Sequence, residues 1–437
     1  MEERLPPGPR LPRTLQGLRF LATEHRMLER YRRRYGDVFA INVWPFQRLV
    51  VVADPAEVKR IFRGDPEELR AGAGNAILEP LLGSESVLLL DGEKHLRRRK
   101  LLLPAFHGER MRVYGELMRE IADAEIDAWP LRTEFPVHKA MQRITLRIII
   151  RAVFGVTDAG RARELEELLP EVMDDGQMAM MVPFLQHDFG GHGPWYRSNK
   201  AGDRVDALLY DEIARARADG GAERTDILSM IVSGSELTDE QLRDELMTLL
   251  VAGHETTATA MSWTVERVLR HPHVLARVRA ELAEGNDAYL DCAIKETLRI
   301  RPVLSFVMRT LKSPMDVGGY TVPAGNTLGS SILLIHRRAD LYPDPYAFRP
   351  ERFEEDAPDT YTWLPFGGGV RRCLGAAFAG FEMRQVLGQL FRRLDLRAAD
   401  PRPERPARRA ITFVPGKGAR VVVEARRPAE QPSLVAA

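Results

Sequence analysis

Apolar positions recur at helical spacing along most of this chain. An Arg-rich amphipathic pattern over 17–35 predicts a first helix. The same period predicts helices near 93–102, 109–128, 139–154, 161–173, 203–218 and 225–233. The best-marked helix starts at Thr238, which forms a capping-box pattern with Gln241. Its small or apolar face passes through Leu242, Leu246, Leu249, Gly253, Thr257, Ala260, Met261, Val265 and Val268, and ends at Pro272. Further helices are expected over 287–300 and 375–394. Alternating or short apolar runs predict a hairpin from Val38 to Val43 and Leu49 to Val52, and strands over 305–311, 316–322, 326–330 and 411–424. Between them, 339–369 carries prolines at 343, 345, 350, 358 and 365; so long an irregular segment in a compact chain usually has a task. The expected fold is mainly α with small β-sheets, in one domain over 1–437. The ends, 1–14 and 428–437, are expected to pack loosely.

Composition narrows the function classes. The 437 residues carry 63 basic and 62 acidic side chains, a net charge of +1 that calls for no nucleic acid or anionic membrane. The two cysteines, Cys292 and Cys373, cannot build a disulfide framework or a multi-thiolate zinc site, which suits a reducing cytoplasm. No apolar run approaches the ~18 residues of a membrane span, and the N-terminus is no signal peptide.

The most informative string is Phe366-Gly-Gly-Gly-Val-Arg-Arg-Cys373-Leu-Gly375, which runs into a helix. Glycines let backbone N–H groups turn inward, and the helix start and arginines add positive charge. Each lowers a thiol pKa, so Cys373 is expected as a thiolate. Such a thiolate could be nucleophile, redox centre or metal ligand. A dithiol role lacks a second cysteine nearby, and a phosphatase-type loop would place its arginine after the cysteine. Axial ligation of haem iron suits it best, because a thiolate pushes electron density onto the iron and favours O–O cleavage. Cys292, early in an apolar helix, reads as an inert core residue.

Three other strings carry candidate chemistry. Ala252-Gly253-His254-Glu255-Thr256-Thr257 lies midway along the longest helix, where Gly costs about 1 kcal/mol relative to Ala. Gly253 either lets a flat cofactor or dioxygen approach the backbone or marks a packing kink; a Thr hydroxyl there can bond back to the i−4 carbonyl. Glu296 and Arg299 share one helix face, as a surface pair would. His95 and Arg99 share another face within the basic run 91–99, which turns Arg97 and Arg98 away, outward to solvent.

Phe366-x-x-Gly369-x-Arg371-x-Cys373-x-Gly375 resembles the haem-binding signature of the cytochrome P-450 family. The resemblance extends over residues 5 to 425, from Pro6-Pro7-Gly8-Pro9 onward. It implies the family's helix-rich triangular prism, haem b (iron protoporphyrin IX) as cofactor, and Cys373 as the iron ligand. It further implies that Ala252 and Gly253 border the haem, that Thr256 donates a hydrogen bond to bound dioxygen, and that Glu255 relays protons; His254 has no evident role. His95, Arg99, Arg309 and Arg371 would hold the haem propionates. Glu296, Arg299 and Arg352 would clamp the long irregular loop beneath the haem.

The reaction implied is R–H + O2 + two electrons + two protons giving R–OH + H2O. The electrons would come from a separate ferredoxin and ferredoxin reductase, since the chain has no flavin or iron–sulfur segment. Arg97, Arg98, Lys100, Arg112 and Arg372 are expected to form the cationic face that receives an acidic ferredoxin. The substrate is expected to be lipophilic, of the fatty-acid or terpenoid kind. Met173, Met178, Met180, Met181, Phe184 and Phe189 would form a pliable lid over it or pack as ordinary core. A soluble, bacterial, cytoplasmic monomer is the natural reading. The alternatives are a peroxide-driven peroxygenase, which typically loses the acid–alcohol pair, and a non-catalytic haem sensor.

Overall fold

The computed structural model describes residues 4–427, apart from 47, 107, 109, 156–157, 182, 188–189, 220–225 and 355–358. Helix α1 (Arg13–Tyr35) leads into the expected hairpin, β1 (Val38–Ile41) and β2 (Leu49–Val52), antiparallel with Val38 opposite Val52. Then comes α2 (Pro55–Arg63), absent from the expected elements. Asp54 accepts the Glu57 N–H at 2.9 Å, Pro55 occupies the first turn, and Val58, Ile61 and Phe62 recur at helical spacing on its buried face, a signal confined to nine residues.

The chain continues through β3 (Leu69–Arg70), α3 (Ala71–Gly74), α4 (Glu79–Leu82), α5 (Gly92–Leu102), α6 (Arg110–Asp127), β4 (Glu134–Pro136) and α7 (Val137–Phe154). After these come α8 (Ala159–Met181), α9 (Pro194–Ala218) and α10 (Ile227–Gly234). The longest helix is α11 (Asp239–Leu269), opened by the expected Thr238–Gln241 capping box. Pro272 does more than end it: the proline starts α12 (Pro272–Ala283), which precedes α13 (Ala288–Ile300).

Next are β5 (Phe306–Leu311), the β6 (Met315–Val317)–β7 (Tyr320–Val322) hairpin, β8 (Thr327–Ser331) and α14 (Ile332–His336). The irregular stretch then runs to α15 (Ala376–Arg393), β9 (Leu394–Ala398), the β10 (Pro406–Arg409)–β11 (Thr412–Pro415) hairpin and β12 (Arg420–Arg426).

One sheet has the order β1-β2-β8-β5-β3, with β2 and β8 parallel and its other pairs antiparallel. Strand β12 sits between β4 and β9. The first sheet is buried on both faces, and strand alternation divides it: Val38, Ala40, Val50 and Val52 join one apolar cluster, while Phe39, Ile41, Leu49 and Val51 join another. The large helical core gathers Leu102, Ile144, Leu246, Met261, Val386 and Phe391.

The N-terminal stretch corrects an expectation. Residues from Arg4 onward are not loose: Arg4 N–H donates to the Thr321 carbonyl at 3.1 Å, and Ala40 N–H donates to the Pro7 carbonyl at 2.9 Å. Strand β1 is an edge, and the Pro7 carbonyl satisfies an outward N–H of that edge. Residues 428–437 lie outside the described residues. No described helix is long and apolar enough to cross a membrane.

Candidate active site

Cys373 sits just before α15 in a loop that closes on itself. Its N–H donates to the Phe366 carbonyl at 2.9 Å, and Arg372 N–H donates to Gly369 at 3.1 Å. Gly369 has φ +65, and a Cβ there would stand 2.1 Å from the Phe62 carbonyl on α2, so this position tolerates no side chain. The thiol is accessible on one side, and beside it the space at Gly375 is open. Burial pushes the Cys373 thiol up, against the Gly375 N–H and the charges of Arg99 and Arg372. The Gly375 N–H and the charges of Arg99 and Arg372 act as the sequence expects, each favouring the thiolate, and desolvation alone opposes them.

Around the loop the fold assembles a cationic cluster from α5, β5 and the cysteine loop itself. Arg99 donates to the Arg372 carbonyl at 2.6 Å. His95, on the same face of α5, is buried with Nδ1 lacking any partner. Burial, then Arg371, Arg99 and Arg309, push His95 down to about 3, so its ring is neutral. Arg309 reaches in from β5, and burial lowers it to about 10. Arg371 is lowered to about 10 for the same reason, although Asp91 opposes the shift. Arg371 is largely committed: it donates to Asp91 at 2.7 Å, to the Val87 carbonyl at 3.3 Å and to the Leu90 carbonyl. Three guanidiniums thus converge with one nearby carboxylate. An orphaned ring nitrogen, an excess of buried positive charge and open space beside a thiol fit a flat cofactor bearing carboxylates.

The middle of α11 divides by side. Ala252 is exposed although helix residues on either flank are buried, and Val251, Gly253 and Thr256 are half-buried. Thr256 donates to the Ala252 carbonyl at 2.6 Å, the expected back-bond. Of the two readings of Gly253, the packing contact is seen: a Cβ there would meet the Ile149 side chain of α7 at 2.9 Å.

Glu255 turns away from Thr256 and is buried. It accepts from Gln142 at 2.7 Å and lies 3.4 Å from both His138 Nε2 and Arg409 Nη1. Burial raises this carboxyl, but the hydrogen bond from His138 and the charges of Arg409, His138 and His254 prevail and hold it near about 2. His254, unassigned by sequence, meets Thr145 at 2.9 Å, and burial lowers it to about 4.

Comparison with known proteins settles the family. The family model described as Cytochrome P450 matches residues 6–419. The chain belongs to the cytochrome P450 family. It is a monooxygenase with haem b as cofactor. It is 43% identical to cytochrome P450 135B1 of Mycobacterium tuberculosis, over 97% of this chain and 92% of that one. It is 40% identical to cytochrome P450 135A1 of the same organism, over 95% and 94%. The fold is that of the retinoic acid-bound cyanobacterial CYP120A1, with TM-score 0.86, 24% identity, and coverage of 98% of this chain and 100% of that one.

In this cytochrome P450 the irregular loop is pinned as expected. Arg299 forks onto Glu296 at 2.6 and 2.8 Å, and both are fully buried. Its other donors reach the carbonyls of His336, Pro345 and Ala347, and Arg352 Nε lies 3.4 Å from Glu296. The pair is therefore no surface bridge: its remaining protons are satisfied by loop carbonyls, which makes burial tolerable.

His336 is a residue that sequence reading missed. Its Nε2 accepts the Leu364 N–H at 2.8 Å while Nδ1 donates to the Arg299 carbonyl at 3.0 Å. No local pattern marks it, because both partners are remote in sequence.

Two other expectations change. Arg98 does not point outward: it is buried on Glu245, with Glu85 beside it. Of the 173–195 segment, Met173 is core and Phe184 is exposed. The side chains of Met178, Met180 and Met181, and the whole of Phe189, lie outside the described residues.

Proposed function

We propose that Cys373 is the axial iron ligand, and that the chain, acting as one domain, hydroxylates a lipophilic molecule of the fatty-acid or terpenoid kind. The carrying observation is the buried, net-positive cluster of His95, Arg99, Arg309 and Arg371 gathered beside a lone accessible thiol. Bound haem supplies the reduction of dioxygen and insertion of one oxygen atom into a C–H bond. His95, Arg99 and Arg309 would hold the propionates, with Arg371 adding charge while it clamps residues 87–91. Phe366 and Gly369 shape the thiol loop, and Gly375 leaves room beside the sulfur, its N–H favouring the thiolate. Ala252 would border the haem, with Gly253 beside it packing α11 against Ile149 of α7. Thr256 would position a proton on the reacting oxygen, and Glu255 would replenish it.

An uncharged accessible stripe of Val251, Ala252, Gly253 and Thr256 supports an apolar substrate. Exposed Arg97, Lys100, Arg112 and Arg372 support an acidic ferredoxin, served by its reductase, as donor. The two cysteines, neither in a disulfide, support a cytoplasmic site. Retention of Glu255 and Thr256 favours oxygen activation over a peroxide-driven route.

The test is the reduced, CO-bound spectrum. Thiolate ligation gives a strongly red-shifted Soret band. Cys373→His is expected to keep haem and lose that band, while Cys292→Ser keeps it. A band that survives in Cys373→His removes the assignment.

A further inference from the structure

Asp91, His95 and Arg99 follow one another at four-residue steps on one face of α5, and the last two belong to the cationic cluster. Asp91 occupies the N-cap position, yet its side chain caps nothing in its own helix. Glu67 does so instead, accepting the Glu93 N–H at 3.0 Å. The Asp91 carboxylate is left to donors from elsewhere: Gly72 N–H at 2.7 Å and Ala73 N–H at 3.0 Å, both in α3, and Arg371 Nη2 at 2.7 Å. We propose that Asp91 is a positioning residue: it ties the start of α3 to Arg371, and through Arg371 it sets how long haem is retained.

The argument rests on the reading of His95, Arg99, Arg309 and Arg371 as the cluster that holds the propionates. Helix α3 lies close against that cluster. A Cβ at Gly72 would stand 2.0 Å from the Leu89 carbonyl and 2.9 Å from Asp91 Oδ2, so glycine is what lets the helix come this near. A Cβ at Gly74 would meet Met308 of β5 at 3.3 Å, and the Met308 carbonyl accepts from Arg309 at 2.7 Å. With two amides bound, the Asp91 carboxylate has one orientation. The guanidinium that pairs with it, and also reaches the Val87 and Leu90 carbonyls, is thereby fixed as well. The side chains are 22% and 8% exposed, so water offers little to replace a lost partner.

Charge alone predicts the opposite outcome. A carboxylate beside the cluster repels a propionate, so removing its charge would tighten the hold on haem. Positioning predicts a looser hold, because Arg371 loses its anchor. The sign of the change separates the two.

Haem transfer from the loaded protein to an apoglobin acceptor reads that sign. Asp91→Asn should speed transfer about tenfold, the value of one charge-assisted hydrogen bond. Transfer no faster than in the parent overturns the proposal. Hydrogen exchange gives a second readout: the Gly72 and Ala73 amides should exchange about tenfold faster in Asp91→Asn, with α11 and α15 protected as in the parent. Unchanged exchange at both amides overturns the tie to α3. Added to Arg371→Gln, Asp91→Asn should speed transfer no further, while the two amides still respond. An undiminished effect on transfer in that background overturns action through Arg371. Arg309→Leu separates this proposal from the reading beneath it. If Arg309→Leu leaves transfer unchanged, the cluster does not hold the haem and that reading fails, whereas faster transfer in Arg309→Leu with parent-like transfer in Asp91→Asn sinks the positioning role alone.

Discussion

Arg98 Nη1 lies 2.6 Å from Glu245 Oε1, joining α5 to α11 through a pair whose side chains are 7% and 0% exposed. Burial pushes Glu245 up to about 7, with Arg98 opposing. A carboxyl raised on folding binds its proton more tightly in the native state. Its contribution is therefore greatest at low pH and falls as pH rises from the ordinary carboxylate range through about 7. Above that range the ionised carboxylate depends on Arg98. Arg98→Leu is expected to cost about 3–5 kcal/mol at pH 8 and clearly less at pH 5, measured by denaturant unfolding. Equal losses at both pH values would show that the pair carries no charge coupling.

The cationic cluster predicts how tightly haem is held. Arg309→Leu should speed haem transfer to an apoglobin acceptor by about ten- to a hundredfold, the value of a charge-assisted hydrogen bond. His95→Phe should have a smaller effect, because the neutral ring offers one donor. Unchanged transfer rates in both would place the propionates elsewhere.

Thr256→Ala should leave substrate binding intact while reductant consumption continues with more peroxide and less product. Thr256→Ser, which keeps the hydroxyl, should restore most of the coupling. The check is product formed per reductant oxidised; a Thr256→Ala protein as well coupled as the parent would remove the proton role from this hydroxyl.

Electron delivery should respond to salt. Arg97, with 79% of its side chain exposed, and Arg372 are accessible, whereas Arg98 is not and drops out of the docking face. Screening acts over about 8 Å at physiological ionic strength. Ferredoxin-driven reduction should slow as salt rises, while dithionite reduction does not follow. Arg97→Glu with Arg372→Glu should raise the apparent KM for ferredoxin without altering substrate binding. Indifference to both changes would move the docking face.

Arg299→Lys should be severely destabilising, by about 3–5 kcal/mol, although it keeps the charge. A lysine cannot fork onto Glu296 and also reach three loop carbonyls. Melting temperature and the fraction of chains that take up haem would report it, and a protein as stable as the parent would refute the clamp.

What could be read from the chain alone was whatever local chemistry encodes. The capping box of α11, the β1–β2 hairpin and the glycine–cysteine string are set by neighbours within a few residues, so each is legible where it stands. Family membership followed from such strings. What tertiary structure decided is which way ambiguous side chains face and what desolvates them. Helical spacing turned Arg98 about 100° from Arg99, yet could not tell solvent from a second helix bearing Glu245. Gly253 could be read as room for a cofactor or as a packing contact, and only the fold brings Ile149 of α7 against it. Glycines and arginines around Cys373 are legible in the sequence, but that Arg99 of α5 reaches the same loop is decided by the fold. Glu255 meets Arg409 across more than 150 positions of sequence, so its charge is set by a hairpin and two helices that no local pattern connects. Coulomb and desolvation energies depend on distance in space, and distance in space is the one quantity that sequence spacing leaves open beyond a helical turn.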